Sequence, residues 1–156
     1  MSPELEDLYQ QVLLDHSKRP RNFGTIEDAV HVHGDNPSCG DEIDLHVRFG
    51  PAREVADIKF TGQGCAICMA SASMMTMKLK GRSRAEATEL LDAFHSLVTT
   101  GAAQPPRALG DLQLLEGVRK FPQRVKCAML AWRAFEQALA TDGNDKPLAV
   151  STETGE

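Results

Sequence analysis

The sequence has no apolar run approaching the ~20 residues that a membrane-spanning helix needs. It has no excess of positive charge either. Its 17 lysines and arginines face 22 acids, for a formal net charge of −5. Nucleic-acid binders usually show a basic stripe, so this balance argues against that class. No phosphate-binding loop, dinucleotide fingerprint or G-x-S-x-G elbow occurs, and Gly62-Gln63-Gly64 alone does not suggest a nucleotide. The opening Met1-Ser2-Pro3-Glu4 is polar and acidic and predicts no signal peptide. There is no internal repeat and no sign of a second domain. These absences together predict a cytoplasmic protein with reduced thiols, with no nucleic acid and no membrane among its partners.

The 156 residues suit one domain with a core that needs no covalent staples. Hydrophobic residues make up 42% and charged residues 25%, ordinary for a soluble globular chain. The four cysteines, Cys39, Cys65, Cys68 and Cys127, could pair as two disulfides. In a reducing compartment they are better read as ligands, catalysts or buried hydrophobes.

Periodicity predicts an α+β fold. Ser2 and Pro3 form a helix start, and Leu5, Leu8, Tyr9, Val12 and Leu13 make one apolar stripe ending near His16. Ser17 to Gly24 is a basic turn, either a solvated loop or a docking surface for an acidic partner. Ala29 to His33 is a short strand. Ile43, Leu45, Val47 and Phe49 form the inward side of a second strand, and Ala56, Ile58 and Phe60 that of a third. The sheet should be small, antiparallel and three-stranded, with helices packed on one face. Ile67 to Leu79 reads as a helix rich in small residues and methionine, closed by Gly81. Ser83-Arg84-Ala85-Glu86 has the form of a capping box, opening a helix with Leu90, Leu91, Phe94, Leu97 and Val98 on one side. Gly101 to Pro106 is a loop, Leu109 to Gly117 a short helical piece, and Pro122 opens the last helix. A single domain should therefore span residues 1–140. Residues 141–156 form a polar tail without periodicity, expected to be mobile.

Three separate stretches could carry chemistry. Two glycines before Cys65 permit a sharp strand-to-helix reversal. Cys65 should then sit at a helix N-terminus, where free N–H groups favour a thiolate. Asn36-Pro37-Ser38-Cys39-Gly40-Asp41 is a turn that puts Cys39 and Asp41 at the lip of the second strand. Arg124-Val125-Lys126-Cys127 opens the last helix. If the fold brings these together, Cys39, Asp41, Cys65 and Cys127 offer three sulfurs and one carboxylate. That set suits tetrahedral zinc, with the carboxylate as the poorest match to a soft ion. Other readings stay open. Buried free cysteines are common and inert, and Cys65-Ala66-Ile67-Cys68 could be a dithiol redox pair. None of His16, His31, His33, His46 and His95 is singled out by its spacing.

Several stretches carry a family resemblance. They are Leu8-Tyr9 through Asp15-His16, Pro20-Arg21-Asn22, Asn36 to Asp41, Gly62-Gln63-Gly64-Cys65 with Met69 to Met75, and Phe121 to Cys127. In these the chain resembles the IscU/NifU-like iron–sulfur scaffold family, most closely its SufU-type members. Lys126 stands where IscU-type scaffolds have a histidine, and the segment around Arg82 to Gly110 is longer than theirs. Cys68 stands where related sequences often carry serine. The resemblance implies a SufE/NifU-like fold and a zinc-dependent sulfurtransferase for iron–sulfur cluster assembly. Its implied partner is a SufS-type cysteine desulfurase, besides other cluster-assembly proteins. By matching positions the zinc ligands would be Cys39, Asp41, Cys65 and Cys127. Cys39 would accept the persulfide sulfur, and Arg124 would stabilise negative charge on it. The alternative is an IscU-like scaffold that assembles an iron–sulfur cluster on Cys39, Cys65 and Cys127.

Overall fold

A computed structural model describes residues 3–100, 106–140 and 148–151. The chain runs α1 (Pro3–Lys18), β1 (Val30–Asn36), β2 (Asp41–Phe49), β3 (Val55–Gln63), α2 (Ala66–Leu79) and α3 (Arg84–Thr100). A stretch of 3-10 turns, Pro106–Lys120, follows, broken at Gly110, and then α4 (Pro122–Ala140) and β4 (Leu148–Ser151). The expected N-cap Ser2 and the 101–105 part of the expected loop lie outside the described residues.

Alternation builds the sheet. Val30, Val32, Gly34 and Asn36 of β1 and Asp41, Ile43, Leu45 and Val47 of β2 all point inward and are buried. The strands pair antiparallel, with Val32 opposite Leu45 and Asn36 opposite Asp41. β3 pairs antiparallel with β2, but the register shifts beside Phe49, which faces Val55 while Arg48 faces Asp57. The extra residue in that bulge is Ala56. It is turned outward, and Val55 takes the inward place the sequence reading gave to it. The three-stranded antiparallel sheet forms as expected, and β4 adds to its edge; of the expected tail, 141–147 and 152–156 lie outside the described residues. Residues 148–151 pair parallel with β1, so the sheet has four strands in the order β3-β2-β1-β4. Short apolar runs such as Leu148-Ala149-Val150 can complete a sheet edge without any alternation visible in sequence.

Helix α2 is the centre of the packing. Its buried residues run from Ile67 through Thr76 without a polar face, which is the signature of a helix covered all round. Ser71 and Ser73 are fully buried there and hydrogen-bonded, as buried hydroxyls must be. Ser71 Oγ donates to the Ala128 carbonyl at 2.6 Å and accepts from Trp132 Nε1 at 3.2 Å, tying α2 to α4. Ser73 Oγ bonds His16 Nδ1 at 2.7 Å and accepts the Arg21 N–H at 2.8 Å, tying α2 to α1.

The basic segment after α1 is therefore not simply a solvated loop. Asn22 Nδ2 donates to Thr76 Oγ1, and backbone bonds join Asn22 and Gly24 to Phe60 of β3. Arg21 pairs with Asp15 at 2.6 Å. The capping box forms as read, with Ser83 N to Glu86 Oε1 at 3.0 Å and Glu86 N to Ser83 Oγ at 3.1 Å. Phe94 of α3 stacks on Trp132 of α4 with ring centroids 4.6 Å apart. No helix among the described residues is long and apolar enough to cross a membrane.

Candidate metal centre

Four loops and strand ends meet at one end of the sheet. Asn36 ends β1 on its inward register, and its backbone carbonyl accepts the N–H groups of Cys39 at 3.1 Å and Gly40 at 2.9 Å. Gly40 takes φ 72°, a conformation glycine adopts without steric cost. This tight turn leaves Cys39 exposed at its tip and returns the chain into β2 at Asp41, which is fully buried.

Asp41 is held from the far side. Its Oδ1 accepts the Cys65 N–H at 2.9 Å, and its Oδ2 lies 4.0 Å from Cys65 Sγ. Gly64 makes this possible: a Cβ there would stand 2.6 Å from Asp41 Oδ1. Cys65 is the N-cap of α2, where its sulfur accepts the Cys68 N–H at 3.4 Å, as the sequence reading expected. The Cys65 thiol is shifted down to about 6. A hydrogen bond from the Cys127 thiol is the main cause, the helix N–H groups add to it, and burial opposes it. The bond to Cys65 and burial push the Cys127 thiol up, so the pair reads as a Cys65 thiolate beside a Cys127 thiol.

Cys127 is buried one turn into α4, and its sulfur lies 3.5 Å from that of Cys39. The donor atoms of Cys39, Asp41 and Cys127 all fall within 4.8 Å of one another. In tetrahedral zinc with Zn–S bonds of about 2.3 Å, neighbouring sulfurs stand about 3.8 Å apart. The donor chemistry and the 3.5 Å spacing both fit such an ion. Cys65 borders this tight set through Asp41 and Cys127 rather than lying inside it.

Arg124 lies exposed in the first turn of α4, where it lines a groove with Ile67, Gly117, Val118 and Phe121. Cys68 is 1% exposed in the hydrophobic core, and burial pushes its thiol up. That makes it a poor nucleophile and gives no support to the dithiol reading. In sequence Asn36 reads only as a turn residue. Its side-chain amide is fully buried and donates to Cys127 Sγ at 3.6 Å. Its position two residues beyond Gly34 on the inward register of β1 was the available signal.

Residues 8–141 match the NifU-like N-terminal domain family. The chain belongs to that family. This NifU-like domain is 43% identical over 138 residues to the zinc-dependent sulfurtransferase SufU of Bacillus subtilis, covering 88% of this chain and 93% of that protein. It is also 43% identical over 145 residues to the iron–sulfur cluster assembly scaffold protein IscU of Streptococcus pyogenes, covering 93% and 91%. A crystal structure of a SUF-system scaffold protein from Fervidobacterium islandicum superposes with a TM-score of 0.78 at 34% identity, covering 86% of this chain and 98% of that one.

Proposed function

We propose that this domain is a zinc-dependent sulfur acceptor in iron–sulfur cluster assembly. It acts in the cytoplasm and takes persulfide sulfur from a SufS-type cysteine desulfurase. Cys39, Asp41, Cys65 and Cys127 hold the ion. When bound, zinc keeps the thiolates deprotonated and shields them from adventitious oxidation. The observation that carries the reading is the contrast in exposure. Cys39 alone of the three sulfurs stands exposed, on a turn, while Cys65 is half-buried and Cys127 buried.

The chain's own residues then divide the work. Asn36 and Gly40 fold the turn that presents Cys39. The Cys39 thiolate attacks the outer sulfur of the partner's persulfide. A new S–S bond forms on Cys39, the partner's S–S bond breaks, and its cysteine thiolate leaves with the electron pair. No net oxidation occurs. Arg124, exposed at the start of the helix that carries Cys127, neutralises charge on the incoming persulfide through its guanidinium donors. A desulfurase turnover assay with and without this chain tests the reading: stimulation should require both Cys39 and bound zinc. Stimulation by zinc-free protein would refute it.

A second reading is a scaffold on which an iron–sulfur cluster is assembled, favoured by the equal identity to the streptococcal IscU. Lys126 stands before Cys127 where IscU-type scaffolds have a histidine, which favours the sulfurtransferase. Visible cluster absorbance in protein purified without reconstitution would favour the scaffold.

A further inference from the structure

A cavity of about 260 Å³ opens where α1, α2 and the stretch of 3-10 turns meet. Met77 of α2 and Leu109 and Leu112 of the 3-10 turns give it apolar walls. Three polar side chains also line it: His16, Lys78 and Asp111. The cavity is remote from the cysteine centre, because Lys78 stands roughly 20 Å along the α2 axis from Cys65.

Each polar group is placed by its surroundings. Gly110 takes φ 54°, and a Cβ there would stand 2.8 Å from Lys78 Nζ. The ammonium therefore lies against Gly110, in space that only glycine leaves open. Asp111 is the next residue. Neither Lys78 nor Asp111 has a side-chain hydrogen bond or ion pair among the described residues, although their charges are opposite. His16 is buried, and its Nδ1 lies 2.7 Å from Ser73 Oγ, which already accepts the Arg21 N–H. The Ser73 hydroxyl hydrogen is left for Nδ1, so the proton of the neutral ring sits on Nε2. Burial, followed by the Arg21 charge, lowers the His16 pKa and keeps that ring neutral. Its Nε2–H has no partner among the described residues.

We infer that this cavity binds a free α-amino acid with an apolar side chain. The ligand's carboxylate meets the Lys78 ammonium and the His16 Nε2–H, and its ammonium meets the Asp111 carboxylate. Its side chain packs against Met77, Leu109 and Leu112. Two opposite charges that line one cavity without pairing suit a zwitterion, which answers both. A simple anion would be repelled by Asp111, and a simple cation by Lys78. Apolar walls strengthen both attractions by excluding water. The volume falls just below the ~300–1,000 Å³ of drug-sized sites, as a small metabolite requires. The inference stands apart from the sulfur-acceptor reading, since it uses none of the cysteine centre's residues.

The test is NMR titration of the zinc-loaded full chain with L-leucine, L-valine and L-phenylalanine, none of which carries a thiol that could reach zinc. At least one should bind saturably and shift the amide signals of Lys78, Gly110 and Asp111 while those of Cys39 and Cys65 stay in place. Lys78→Gln and Asp111→Asn should each weaken that amino acid about fivefold. Its N-acetyl derivative and its amide each lack one charge and should bind more weakly than the amino acid itself. The two variants change exposed or half-buried side chains, and unaltered circular dichroism would show the fold intact. The assignment is overturned by the absence of saturable shifts with all three at about 10 mM, or by shifts confined to other residues. Equal binding by the wild type and both variants, or by the derivatives and the amino acid, would overturn it as well.

Discussion

Asp41 and Cys65 are bonded to each other directly, with the carboxylate Oδ1 accepting the Cys65 N–H at 2.9 Å. This one contact joins the start of β2 to the N-cap of α2 across 24 residues of chain. It explains why a hard oxygen donor sits among soft sulfurs: the carboxylate is already required to satisfy a backbone N–H at the helix entrance.

Replacing that carboxylate should therefore have two separable effects. Asp41→Asn keeps an oxygen that can accept the Cys65 N–H, so metal-free stability should change little while zinc is held more weakly. Asp41→Ala loses both, and chemical denaturation should show a cost of about 1–3 kcal/mol. Gly64→Ala should act like Asp41→Ala without replacing a ligand, because its Cβ would meet the Asp41 oxygen at 2.6 Å and push it aside. Chelator competition measures the zinc side of all three.

Cys39 and Cys68 should give opposite phenotypes. Cys39 is exposed, so Cys39→Ala should leave metal-free stability within about 0.5 kcal/mol of wild type. It should nevertheless abolish stimulation of the desulfurase. Cys68→Ser places a hydroxyl in the apolar core and should cost about 1–3 kcal/mol while stimulation survives. Turnover and denaturation midpoints, measured on the same two proteins, check the pair.

Asn36 should position Cys127 and the Cys39 turn together. Asn36→Ala removes the amide that donates to the Cys127 sulfur and leaves a buried gap. The expected outcome is faster alkylation of Cys127 in metal-free protein and a stability loss of about 1–3 kcal/mol. Mass mapping of the alkylated cysteines reads the first effect.

His16 should make the fold acid-sensitive. Burial, followed by the nearby Arg21 charge, lowers its pKa from 6.5. Below pH 6.5 the unfolded chain takes up a proton that the folded chain resists. Stability should be full above that pH and decline as pH falls through the folded value. His16→Gln should reduce this slope between pH 7 and 5. It should also lower stability at pH 7 if the bond to Ser73 is lost. Denaturation midpoints across that range provide the comparison.

Most of the fold was legible in the sequence because its main signals are local. Alternation from Ile43 to Phe49 set the central strand, Ser83 and Glu86 set a helix start, and the glycines before Cys65 set the turn into α2. The remainder depended on contacts between distant segments. The Ala56 bulge arises from pairing with β2 and leaves no mark on β3 alone. β4 needs the free edge of β1 to exist before Leu148 to Ser151 can pair. β1 itself runs on to Asn36, because Gly34 and Asp35 are held by β2 despite weak strand character. The approach of Cys39, Asp41 and Cys127 was legible only as a hypothesis, and the buried amide of Asn36 behind Cys127 went unread. The cavity beside Gly110 was unread as well, since α1, α2 and the 3-10 turns supply its walls jointly.

The most direct test of the account is zinc X-ray absorption on the chain loaded with one equivalent of zinc. The thiolate centre predicts three sulfur scatterers near about 2.3 Å and one oxygen near about 2.0 Å, and one sulfur fewer in Cys39→Ala. A shell of nitrogen and oxygen alone, or a sulfur count that Cys39→Ala leaves unchanged, would contradict it.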